Sequence, residues 1–63
     1  HDEASLLSLV HFERGEYCQW MNDDDAAIAE YARCAQLSPD SELVTRANAR
    51  MEQLLAGDRG PVH

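Results

Sequence analysis

Two breaks divide this chain into three short segments, and they limit it to a small set of folds. Asn22-Asp23-Asp24-Asp25 and Ser38-Pro39-Asp40-Ser41 each combine residues that stop a helix with residues that cap the next one. Between them, apolar residues recur every third or fourth place, as amphipathic helices require. The first helix is expected over about Glu3 to Met21, with Leu6, Leu7, Val10, Tyr17, Cys18 and Met21 on its apolar stripe. The second, about Asp25 to Leu37, carries Ala27, Ile28, Tyr31, Cys34 and Ala35 on one face. The third, about Ser41 to Ala56, presents Val44, Ala47, Met51, Leu54 and Leu55, and Gly57 suits its C-terminal cap. Connections this short join antiparallel neighbours. The expectation is therefore an all-α, antiparallel three-helix domain over residues 1–57, with a frayed tail over residues 58–63.

Gly15 falls inside the first helix, where glycine costs roughly 0.5 to 1 kcal/mol relative to alanine. Its presence implies a point where another backbone comes close. Gly15, Ala27, Tyr31 and Pro39, with the run AAIAEYARCAQLSP, stand at intervals that resemble the small, aromatic and turn positions of a tetratricopeptide repeat. The resemblance spans about Val10 to Ala56. His11, Arg14 and Cys18 depart from it, standing where the repeat places large apolar or aromatic residues. Ala49, one period after Gly15, makes the third helix resemble the opening helix of a second unit.

The resemblance implies a helical hairpin plus a capping helix that works as a protein-interaction or assembly module. Ligands of such repeats lie along the concave face of each first helix. Carried over by spacing, that face holds Leu9, Phe12, Glu16, Gln19 and Trp20. Phe12 and Trp20 are then aromatic anchors, unless both fold back onto the third helix to complete a thin core. Repeat units stack because one alone cannot bury its apolar face, and roughly one and a half units here fall short of the three usually needed. Excision from a longer array, which His1 in place of methionine also suggests, self-association as a homo-oligomer and docking on a partner are the three solutions.

Twelve acidic residues against five arginines and no lysine give a formal charge of -7. That charge opposes phosphate backbones and anionic lipid, so nucleic acid is not an expected partner. A basic protein or peptide is the better electrostatic match, and plain solubility is an equally direct use of the acidity. No apolar stretch approaches a membrane span, and insertion is not expected. The compartment is not written in the sequence.

Cys18 and Cys34 lie on facing helices. A disulfide between them would add about 3 kcal/mol and would suit an extracytoplasmic domain, while two small buried thiols fit the spacing as well. A thiol-based or metal-linked redox module is the alternative to an interaction module. His1, His11 and His63 are scattered, without the helical spacing of a zinc site, and no cofactor is implied. The Asn22 to Asp25 run lacks the alternation and distal glutamate of a calcium loop and reads as a helix cap. No nucleophile and base share a helix face, so catalysis is not expected.

Overall fold

The computed structural model describes residues 2–57, all in helices or their connections. Helix α1 spans Glu3–Trp20, α2 Asp24–Leu37 and α3 Ser41–Leu55. The expected ends are met within a residue or two. The proposed tail over 58–63 and the terminal residues His1 and His63 lie outside the described residues.

Each helix begins on an aspartate whose side chain accepts a free backbone amide. Asp2 Oδ1 takes the Ser5 N–H at 2.8 Å, Asp23 Oδ1 that of Ala26 at 3.3 Å and Asp40 Oδ1 that of Glu42 at 3.0 Å. The Ser5 amide, joined by the Ser5 hydroxyl, lowers the pKa of the Asp2 carboxyl below its ordinary value. The α1–α2 connection closes by a Schellman motif. Asp23 N–H donates to Cys18 O at 2.8 Å and Asn22 N–H to Gln19 O at 3.0 Å, with Asn22 in the left-handed region at φ 64. Asparagine tolerates that conformation, which is why it can stand where glycine is common. Gly57, at φ 74, follows α3, and its N–H donates to Leu54 O at 3.1 Å.

The core is small: Phe12, Ala27, Tyr31, Cys34, Ala47 and Leu54, with Cys18, Ile28, Ala35, Leu43 and Met51 partly buried around it. Helix α2 is the central element, packed against both α1 and α3. Its expected face of Ala27, Ile28, Tyr31, Cys34 and Ala35 is the face that packs.

Helix α1 differs from expectation. Its buried residues are Ser8, Phe12 and Gly15, while Leu6, Leu7, Val10, Tyr17 and Met21 from the expected stripe are exposed. Of that stripe only Cys18 packs against the core. The reason is steric. A helix bearing Ser8 and Gly15 can approach α2 far more closely on that side than on the side of its leucines. Ser8 is fully buried, and its hydroxyl donates to Ser5 O at 2.8 Å, so the polar atom is satisfied.

Gly15 does not face a backbone. A Cβ there would fall 2.7 Å from Cε1 of the Tyr31 ring, so the glycine makes room for a side chain. Tyr31 in turn tilts at 60° to Phe12, with ring centroids 5.4 Å apart. On α3, Leu55 also departs from expectation and is exposed.

Candidate interaction groove between α1 and α3

Two successive short turns make α1 and α3 run parallel over α2, leaving a groove between them. Helix α1 contributes Leu9, Glu16, Gln19 and Trp20 to its walls. At the N-terminal end, Ser5, Ser8 and Leu9 face Asp40, Leu43 and Arg46 across a depression of about 260 Å³. At the C-terminal end, Glu16, Gln19 and Trp20 face Arg50. Of the five residues placed on this face by sequence spacing, Leu9 lines the first depression and Glu16, Gln19 and Trp20 line the second, and the Arg50–Glu16 ion pair spans from α3 to α1 at the second.

Phe12, the fifth, is a correction. Only 7% of its surface is exposed, and it belongs to the core beneath the groove, so it cannot act as a free anchor. Its ring is covered by the Arg50 guanidinium, whose Cζ lies 5.3 Å from the ring centroid. Trp20 is the opposite case, 79% exposed at the edge of the groove.

Arg50 organises the floor. It donates from Nη1 to the Tyr31 hydroxyl at 3.1 Å and pairs with Glu16 Oε2 at 3.2 Å. The Tyr31 hydroxyl donates onward to Gln19 Oε1 at 2.8 Å. One chain of polar contacts therefore joins all three helices above the two rings. Burial pushes the Tyr31 phenol above its ordinary pKa, with the Arg50 charge offsetting part of the rise. Desolvation works against the Arg50 charge, but the hydroxyl of Tyr31 and the carboxylate of Glu16 outweigh it and raise its pKa.

Sequence reasoning left Arg50 off the apolar stripe of α3 and missed this role. The signal was present: Arg50 stands three residues after Ala47 and four before Leu54, the two buried positions of its helix. A second missed contact lies on the far side of α1. His11 Nδ1 and Glu30 Oε1 are 2.6 Å apart, half-buried, joining α1 to α2 at a position where the resembled repeat would have a large apolar residue.

The cysteines are two free thiols, Cys34 buried and Cys18 half-buried, and the bridge left open by their spacing is not formed. Burial pushes the Cys34 thiol up, which lowers its thiolate fraction and opposes the reactivity a redox centre needs. Among the described residues no group of three or more His, Cys, Asp or Glu side chains could hold a metal ion, and no helix is long and apolar enough to cross a membrane.

The groove offers an exposed indole, an aliphatic wall of Leu9 and Leu43, and three carboxylates, Glu16, Asp40 and Glu42, beside two guanidiniums. Comparison of the chain with family models, with curated proteins and with solved structures finds no match.

Proposed function

We propose that this chain is a protein-interaction module, a tetratricopeptide-like hairpin with a capping helix, that holds an extended basic segment of a partner protein in the α1–α3 groove. The observation that carries the reading is the pair of depressions between α1 and α3, one lined by Leu9 and the other by Glu16, Gln19 and Trp20, with the indole of Trp20 the most exposed large apolar side chain among the described residues. Trp20 and Leu9 supply apolar contact, since large amphipathic aromatics at a surface dominate binding energies. Glu16, Asp40 and Glu42 offer carboxylates to Lys or Arg side chains, and the charge of -7 steers such a segment from a distance. The Glu16 and Gln19 contacts to Arg50 and Tyr31 fix the shape of the floor before a ligand arrives, which lowers the ordering cost on binding.

Selection of peptides from a random displayed library on the intact chain tests this reading. Enriched sequences are expected to combine basic residues with an apolar side chain, to lose at least tenfold in affinity against Trp20→Ala, and to weaken as salt rises. A library that yields no binder, or binders indifferent to Trp20, overturns it.

A further inference from the structure

The outer face of α1 is more apolar than the face it buries. Leu6, Val10, Tyr17 and Met21 recur at helical spacing on the side away from α2, with Leu7 beside them, and all five are close to half exposed or more. A solvent-facing helix ordinarily places charge there, and only Glu13 and Arg14 interrupt this stripe. Both are exposed, and neither takes part in an ion pair within the described residues.

We infer that this face is an isologous interface on which a second copy of the chain lays its own α1 antiparallel. The stripe is symmetric about the point between residues 13 and 14. Rotation by a two-fold axis through that point sets Leu6 of one copy against Met21 of the other and Val10 against Tyr17. It also gathers the Glu13 and Arg14 of both copies around the axis, two carboxylates and two guanidiniums with no net charge. A self-complementary patch of this kind is what a two-fold interface requires.

Covering these five side chains and the stem of Arg14 on both copies removes on the order of 1,000 Å² from water, the threshold for a specific interface and the size of a weak, reversible one. The surface is separate from the groove, which lies on the α3 side of α1, so the dimer leaves the groove open. Each copy carries a charge of -7, so the copies repel at long range, while the central cluster carries no net charge. Association therefore tightens with added salt, opposite in sign to binding of a basic segment in the groove.

Sedimentation equilibrium of the intact chain over a range from micromolar to millimolar, at low and high salt, reads the association directly. A monomer–dimer equilibrium with a dissociation constant on the order of 100 µM is expected, tightening severalfold with salt. Val10→Asp should abolish it. Glu13→Arg, which gathers four like charges at the two-fold axis, should weaken it at least tenfold, and the double exchange Glu13→Arg with Arg14→Glu should restore it. All three positions are exposed, and circular dichroism checks that each variant keeps its helices. A chain that stays monomeric at millimolar concentration has some other occupant on this face and overturns the proposal, as does self-association that ignores the charge reversal or is not restored by the exchange.

Discussion

Gly15 and the ring of Tyr31 share one space: a Cβ at residue 15 would lie 2.7 Å from Cε1, 2.8 Å from Cδ1 and 3.0 Å from Cζ of the tyrosine. The ring has little freedom to yield, since its hydroxyl is held by Gln19 and Arg50 and Phe12 packs against it. Alanine is the better helix former by up to about 1 kcal/mol, but overpacking a fixed ring costs about 1–3 kcal/mol. Gly15→Ala is therefore expected to destabilise the domain on balance by about 1 kcal/mol or more, read from urea unfolding followed by circular dichroism. A more stable variant would show that α1 can slide over α2 at no cost.

Arg50 ties α3 to both other helices. Arg50→Ala should cost about 1–2 kcal/mol, because it strips a hydrogen bond from Tyr31, an ion pair from Glu16 and a cation from the face of Phe12. Arg50→Met keeps the apolar stem over the rings and should recover part of that loss. Equal costs for the two variants would mean that only the charge matters.

Tyr31 should make stability fall at alkaline pH. Its folded pKa is raised above the ordinary value of 10.0, chiefly by burial, so the unfolded chain ionises first. The stabilisation is fully present below pH 10.0 and is lost as pH rises through the folded value. In a Tyr17→Phe variant Tyr31 is the sole tyrosine, and its phenolate absorbance should appear together with the loss of helical dichroism. Ionisation at or below the ordinary value with the helices intact would contradict a buried phenol.

The two thiols should differ in access. Under native conditions a disulfide-exchange reagent should modify half-buried Cys18 well before buried Cys34, and denaturation should equalise the rates. Cys34→Ser should cost about 1–3 kcal/mol by burying a hydroxyl in an apolar site, whereas Cys18→Ser should cost less. Equal native labelling would place α2 further from its neighbours than the structure does.

Helix boundaries were legible because capping chemistry is local: an aspartate before each helix, an asparagine able to take a left-handed φ, and a glycine at the end. The packing face of α2 was legible because its small and aromatic residues all point one way. Helix α1 was not, for a physical reason. Hydrophobic periodicity assumes that the most apolar side is the inner one, but Ser8 and Gly15 are buried for their size and contribute nothing to an apolar count. Gly15 marked the correct side, and its partner was misjudged as backbone. Leu9, Glu16, Gln19 and Trp20 were assigned to one face by family-like spacing alone, whereas Arg50 and the His11–Glu30 contact were missed because neither lies on an apolar stripe.

Because α1 and α3 run parallel, the groove between them has a direction. Asp40 and Glu42 stand at the first turn of α3, Arg46 and Arg50 follow along that helix, and Glu16, Gln19 and Trp20 stand at the far end of α1. An extended segment bound as proposed would meet these groups in a fixed order, and the same segment laid in reverse would not.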